Sequence, residues 1–251
     1  IAIGSYSGAI LGKMMNGLPG LFAGMAVGVL ISVLIAFLVG LPTLRLKGDY
    51  LAIATLGVAE IIRVAVTNMK ITNGAAGISG VPLTNTWTIT YIALVLTTIL
   101  ILNYTFSSAG RATYAVLQDE IAAESMGVQV TKYKILAFVL GAATASIGGT
   151  LSATTLGAVT PSDFTFMKSI DVLIIVVFGG IGSFTGSFVA AVLLGIINLV
   201  LQPFGQLRMI IYAVALILIM IFRPGGLLGT WEFKLGDFKF SKKKETKESG
   251  K

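Results

Sequence analysis

Side chains that could do chemistry are few in this chain of 251 residues. It has no cysteine and no histidine, which excludes disulfides, thiolate metal sites and catalysis by an imidazole base. It also has no GxxxxGK[ST] motif, so it does not build the phosphate-binding loop of an ATPase. No pairing of a nucleophile with a base is evident. The sequence therefore predicts a chain that is not an enzyme and binds no metal or cofactor.

Glu60 and Arg63 form the first candidate pair. They are three residues apart within the apolar segment 50–66, so they can pair on one face of a helix. With Tyr50 at the membrane edge, Glu60 lies about 15 Å deep at a rise of about 1.5 Å per residue, near the midplane. An ionisable residue there is costly and faces protein or water. Two interpretations stay open: a structural pair that orients two helices, or a polar patch along a substrate path.

The polar stretch 107–133 is the second candidate. It is too polar to cross a membrane, yet Leu117, Ile121 and Ser125 recur at helical i, i+4 spacing, which predicts one amphipathic helix. Gly127 suits the left-handed position that follows a helix. Such a helix lies at the lipid interface or docks a cytoplasmic partner. Its polar face is acidic, which favours docking, because interfacial helices prefer Lys and Arg. The acidic residues are Asp119, Glu120 and Glu124.

A short apolar segment, 169–180, carries the third candidate. Asp171 lies near its start, where a carboxylate can cap a helix, or else act in a gate. The segment ends in Gly179 and Gly180, with Gly182 close behind. We expect a half-span or a helix that is broken at these glycines.

The loop 72–82 is the fourth candidate. Gly74, Gly77 and Gly80 precede Pro82, and this composition predicts irregular backbone. The loop is either a flexible connection or a surface where an outer partner delivers substrate.

The elements that position these residues are membrane helices. Hydrophobic residues make up 55% of the chain and charged residues 12%, against about 25% charged in soluble domains. We predict an all-α bundle of transmembrane helices in one domain, 1–230, and a Lys-rich, disordered tail, 231–251. The eight predicted apolar segments are 1–12, 18–41, 50–66, 88–106, 134–156, 169–180, 186–202 and 208–222.

Basic residues predict the orientation of the bundle. With the tail in the cytoplasm, thirteen Lys and Arg fall at inner loops and helix ends and four at outer ones. The opposite orientation would reverse this bias, so the C-terminus is predicted to be cytoplasmic. The net charge of +7 then marks a cytoplasmic face and not a nucleic-acid site.

Several runs of the sequence carry a family resemblance. They are RLKGDYLAIATLGVAEIIRV (45–64), NGAAGISGVP (73–82), GRATYAVLQDEIAAESMGV (110–128), SIDVLIIVVFGGIGSFTG (169–186) and FRPGGLLG (222–229). Together, and in this order, they resemble a branched-chain amino acid ABC transporter permease of the LivM type. The opening IAIGSYSGAI resembles a family segment that follows one or two further helices, so we expect an N-terminal portion to precede it.

The resemblance implies the type II ABC importer permease fold in a bacterial plasma membrane. It also implies partners: a second permease subunit, two cytoplasmic subunits that hydrolyse ATP, and an extracytoplasmic substrate-binding protein. The stretch 111–127 would be the coupling helix that docks on the ATPases. Ala122, Ala123 and Gly127 fit the EAA-x3-G pattern of such helices, while Ile121 occupies its Glu position.

Several substrates are consistent with the resemblance. Leucine, isoleucine and valine are favoured, but relatives of this kind also carry urea, short-chain amides and other amino acids. A secondary transporter or channel is a weaker alternative, because only Glu60 and Arg63 are deep ionisable residues and the polar stretch 107–133 would have no role.

Overall fold

The computed structural model describes residues 1–15, 17–46, 48–180 and 182–201, and the single residues 211, 214 and 217. These parts of the chain are almost entirely helical. The helices are α1 Ala2–Met15, α2 Leu18–Thr43, α3 Asp49–Asn68, α4 Trp87–Phe106, α5 Ser108–Gln118, α6 Glu120–Ser125, α7 Val130–Leu156, α8 Phe166–Gly179 and α9 Phe184–Leu201. The described residues also form two short strands, β1 Ile78–Ser79 and β2 Ala158–Val159. They include two 3-10 turns, Gly74–Ala76 and Pro161–Phe164.

Five of the described helices are long and apolar enough to cross a membrane, namely α2, α3, α4, α7 and α9. Helices α1 and α8 coincide with two further predicted segments, but each has only 14 residues. At about 1.5 Å per residue α8 reaches about 21 Å, short of a bilayer core of about 30 Å. The predicted segment 208–222 lies largely, and the tail 231–251 wholly, outside the described residues.

The first compact unit, Ile1–Lys168, is built on mutual packing of α1, α2 and α7. Small residues let these backbones approach: a Cβ on Gly24 would lie 2.7 Å from the Cα of Gly8. Hydroxyls join the helices, since Thr150 Oγ1 donates to the carbonyl of Gly4 at 2.9 Å. Helices α3 and α4, by contrast, have almost no buried residues, so they offer broad apolar surfaces.

The two ends of this unit differ. At the hairpin end, formed by residues 69–86 and 157–165, β1 pairs antiparallel with β2, with Ile78 opposite Val159. Lys13, near the end of α1, donates to the carbonyl of Ser79 at 3.2 Å. At the α5–α6 end, formed by residues 44–46, 48 and 107–129, helix α6 packs beside the start of α7. The two sets of loops therefore gather at different ends of the helices.

The second unit, Ser169–Lys251, contains most of α8 and all of α9. The buried residues of its apolar cluster are Phe178, Ala190 and Leu194. Gly179 and Gly186 bring the two backbones together, because a Cβ on Gly179 would lie 2.5 Å from the carbonyl carbon of Gly186.

Candidate functional site

The stretch predicted as one helix over 111–127 is two helices, α5 and α6, and that prediction was wrong. Asp119 has extended backbone, with φ −155° and ψ 114°, which ends α5 at Gln118. Its carboxylate Oδ1 accepts hydrogen bonds from the N–H groups of Ile121, at 2.8 Å, and Ala122, at 3.1 Å. An aspartate satisfies free amides at a helix start in this way, so Asp119 starts a new helix. Leu117 and Ile121 therefore do not share one continuous helical face.

Helix α6 is fixed to α7 by charge and by packing. The Glu120 carboxylate forms an ion pair with the Lys134 ammonium of α7. Ala123 is only 5% exposed, whereas Ala122 is exposed. The two alanines of the coupling pattern thus have different roles: one packs against this chain and the other faces outward.

Gly127 ends α6 in the left-handed conformation that the sequence predicts, with φ 82°. Its N–H donates to the carbonyl of Glu124 at 2.9 Å, and the N–H of Val128 donates to the carbonyl of Ala123 at 3.0 Å. These two bonds form a Schellman motif. The chain is thereby turned from α6 into α7 within a few residues.

The exposed side of α6 is mixed, since Ile121 and Ala122 share it with Glu124 and Ser125. Ile121 is 76% and Met126 is 85% exposed, and Ala122 lies beside Ile121. We refer to Ile121, Ala122 and Met126 as the α6 surface. Exposed apolar side chains on a short helix outside the membrane spans are typical of a contact with a partner or with the lipid interface, and both interpretations stay predictions.

Glu60 and Arg63 form an ion pair inside α3. Arg63 Nε donates to both carboxylate oxygens of Glu60 at 3.0 Å. Their side chains are 52% and 31% exposed. Within the described ranges no other side chain is hydrogen-bonded to either charged group. Both interpretations, a pair that orients two helices and a polar patch along a substrate path, stay predictions.

Asp171 does not cap the short helix, and that interpretation was wrong. Helix α8 begins at Phe166, five residues earlier, so Asp171 lies in its second turn, where backbone amides are already paired. The acid that does cap in this region is Asp163, whose carboxylate accepts from the N–H of Thr160 at 2.9 Å in the preceding 3-10 turn. A gating role for Asp171 stays a prediction.

The glycines after Asp171 lie where the chain leaves α8. The helix ends at Gly179, and Gly180 and Gly182 have φ of 118° and 93°. Both values are left-handed and favour glycine. The gate itself stays a prediction.

The glycine loop has a hydrogen-bonded turn conformation. Gly74, Gly77 and Gly80 have φ of 62°, 71° and 70°. Asn73 Nδ2 donates to the carbonyl of Gly77 at 2.8 Å, and β1 follows immediately and pairs with β2. The loop thereby leads into the β1–β2 pairing, and both interpretations, a flexible connection and a surface for substrate delivery, stay predictions.

Sequence reasoning missed Lys134 as the partner of Glu120. The two residues are 14 positions apart and meet only because the turn at Gly127 folds α6 back on α7. No local spacing rule predicts such a pair. In the described part of the chain, no three acidic residues lie close enough together to hold a metal ion.

Long apolar helices that pack through small residues define a polytopic α-helical membrane protein. Residues 1–222 match the family described as branched-chain amino acid transport system, permease component, and the chain belongs to this family. It is 37% identical to the high-affinity branched-chain amino acid transport system permease protein LivM of Salmonella typhimurium, over 76% of this chain and 53% of that protein. The LivM protein of Escherichia coli is 36% identical, again over 76% of this chain and 53% of that protein.

A second kind of permease is also similar. The Escherichia coli permease protein LivH is 30% identical over 57% of this chain and 46% of its own length. The chain spans about half the length of the curated relatives it matches. No solved structure matches it.

Proposed function

We propose that this chain forms part of the translocation path of an ATP-driven importer for leucine, isoleucine and valine. Its family and the names of its LivM and LivH relatives support this proposal. The structural observation that carries it is α6, a short helix that exposes Ile121 and is joined to a membrane span by an ion pair and a buried alanine.

The α6 surface is the docking site for a cytoplasmic ATPase subunit in this proposal. ATP is hydrolysed by two such subunits, and the chain itself binds no nucleotide. A force on α6 passes to α7 through Glu120, Lys134 and Ala123. Helix α7 has 27 residues, about 40 Å at 1.5 Å per residue, and it packs on α1 and α2. Movement at one end of the helix can thereby reach the other end.

The exposed surfaces of α3 and α4 face a second permease subunit and the solute path. A half-exposed ion pair near the midplane is costly in lipid, so it requires a water-filled cavity or a protein neighbour. Glu60 and Arg63 are therefore assigned to the path. The hairpin end faces an extracytoplasmic binding protein, and the C-terminus is cytoplasmic, as the distribution of Lys and Arg supports.

Uptake into proteoliposomes tests the function. The full-length protein is reconstituted with its companion permease, the ATPases and the binding protein, and radiolabelled leucine, isoleucine, valine, urea and other amino acids are compared. We expect ATP-dependent uptake of the three branched-chain amino acids. Uptake that proceeds without ATP would overturn the importer assignment, and ATP-driven uptake of urea alone would overturn the substrate.

A further inference from the structure

An open groove of about 780 Å³ lies between α2 and α7 at the α5–α6 end. Its walls are apolar and include Phe37 of α2 and Ile135 and Val139 of α7. Its lining also includes two exposed charged residues, Glu124 and Lys132. We call it the α2–α7 groove. Its volume falls within the range of about 300–1,000 Å³ that is usual for ligand sites.

The walls of this groove lie within the membrane spans. Phe37 is six residues before the end of α2 at Thr43, and Val139 is nine residues after the start of α7 at Val130. At about 1.5 Å per residue the walls therefore reach about 9–14 Å below the helix ends. Neighbouring side chains of α2, including Leu34 and Leu38, are also exposed. The groove thus continues into an apolar surface suited to acyl chains.

The lining of the groove includes one charge of each sign. Both Lys132 and Glu124 are exposed, and among the described residues neither forms an ion pair. A phospholipid headgroup with a net negative charge would gain attraction from Lys132 but meet repulsion from Glu124. A headgroup that carries both a phosphate and a primary ammonium complements both side chains.

We propose that the α2–α7 groove binds a phosphatidylethanolamine molecule. Its phosphate lies against the Lys132 ammonium, its amine against the Glu124 carboxylate, and one acyl chain between Phe37 and Val139. A choline headgroup lacks N–H donors, so it cannot hydrogen-bond to the carboxylate. The inference depends on the membrane location of the chain and not on the solute that it carries.

Photolabelling tests this site. The full-length protein with its partner subunits is placed in phosphatidylcholine nanodiscs with a trace of phosphatidylethanolamine that bears a diazirine on its acyl chain. Matched probes carry choline or glycerol headgroups. We expect the ethanolamine probe to label peptides with Phe37 or Val139 several-fold more than either matched probe. Lys132→Gln and Glu124→Gln should each remove this preference, whereas Arg45→Gln, an exposed charge at the same end but outside the groove lining, should keep it.

Two further variants keep the test decisive. The charge exchange Lys132→Glu with Glu124→Lys retains both signs, and we expect it to retain selective labelling even where a single variant fails to fold. Equal labelling by all three probes would identify ordinary lipid contact and overturn the proposal, as would preference for the glycerol probe. Val139→Cys, in a chain without native cysteine, tests for a protein occupant. Its cross-linking to another polypeptide in native membranes would also overturn the proposal.

Discussion

The Glu60–Arg63 pair holds two opposite charges on one face of α3, about 16 Å from the start of that helix at 1.5 Å per residue. Glu60→Ala or Arg63→Ala leaves one charge without its partner in a region where a lone ion is costly. We therefore expect each single variant to lower transport more than the double alanine variant does. ATP-driven uptake of leucine, normalised to membrane abundance, measures this difference.

A double-mutant cycle separates pairing from independent roles. Coupling between residues in contact is commonly about 0.5–3 kcal/mol. Losses that simply add in the double variant would show that the two charges act separately. The conservative change Arg63→Lys keeps the charge but loses the two-oxygen contact of Nε, so it shows whether geometry or charge matters.

Ala122 and Ala123 make a matched test of docking. Ala122 is exposed on the α6 surface, so Ala122→Trp should reduce co-purification of the ATPase subunits and ATP-driven uptake while the chain stays folded. Ala123 is buried, so Ala123→Trp overpacks the contact with α7 and should cost about 1–3 kcal/mol of stability. It therefore cannot serve as a variant that affects docking alone.

An exposed alanine on the neighbouring helix provides the control for docking. Ala115 lies on α5, outside the α6 surface. Ala115→Trp adds the same bulk, and we expect it to leave ATPase binding intact. If Ala122→Trp retained full ATPase binding and full uptake, the α6 surface would not be the docking site.

At the scale of elements, the hairpin end depends on one close approach of backbones. Gly77 has a positive φ, and a Cβ there would lie 2.3 Å from the carbonyl oxygen of Val159. Gly80 has nearly the same φ, but nothing lies within 4 Å of its Cβ position. Gly80→Ala should therefore cost only the left-handed strain of about 1–2 kcal/mol. Gly77→Ala adds a clash that must separate β1 from β2.

The matched pair Gly77→Ala and Gly80→Ala isolates that contact. We expect a lower melting temperature for the first variant than for the second in detergent-purified protein. Equal melting temperatures would mean that the β1–β2 pairing contributes little to stability. Binding of the extracytoplasmic protein, measured on the same samples, reports whether the glycine loop is part of its docking surface.

The long elements could be predicted from the sequence, and their connections could not. The apolar runs of α2, α3 and α4 predict membrane-spanning helices, because in lipid the backbone N–H and C=O groups must hydrogen-bond to one another. The observed bounds of these three helices differ from the predicted ones by at most two residues. The break at Asp119 instead depends on one capping carboxylate that competes with helical continuity. The break was not predicted, because the residues on both sides of Asp119 keep helical spacing.

In the candidate site, too, local features could be predicted from the sequence and contacts between distant segments could not. Glu60 and Arg63 pair as their i, i+3 spacing predicts, and Gly127 takes its predicted conformation. The contacts of Lys134 with Glu120 and of β1 with β2 join distant segments, and their positions follow from packing of the whole unit. Burial of Ala123 beside an exposed Ala122 likewise depends on where α7 lies.

At the scale of the whole molecule, the first unit has two chemically distinct ends. Spans α2, α3, α4 and α7 run alternately between them, because the connections after α2 and α4 lie at the α5–α6 end and the connection after α3 lies at the hairpin end. The β1–β2 pairing independently brings the segments that follow α3 and α7 together. Under the proposed function, a solute path through this unit would join the glycine loop to the helix that we propose as the ATPase contact.

Accessibility labelling tests which end faces the cytoplasm. The chain has no native cysteine, so Ile71→Cys at the hairpin end and Gln118→Cys at the α5–α6 end can be compared directly, since both positions are exposed. The excess of Lys and Arg at the α5–α6 end and in the tail predicts that this end is cytoplasmic. In intact cells an impermeant maleimide should modify Ile71→Cys and leave Gln118→Cys and Phe240→Cys unmodified until the membrane is opened.

Position 240 lies outside the described residues and reports on the tail alone. Modification of Gln118→Cys in intact cells would place α6 outside and remove the basis for ATPase docking, whereas modification of Phe240→Cys alone would change only the location of the tail.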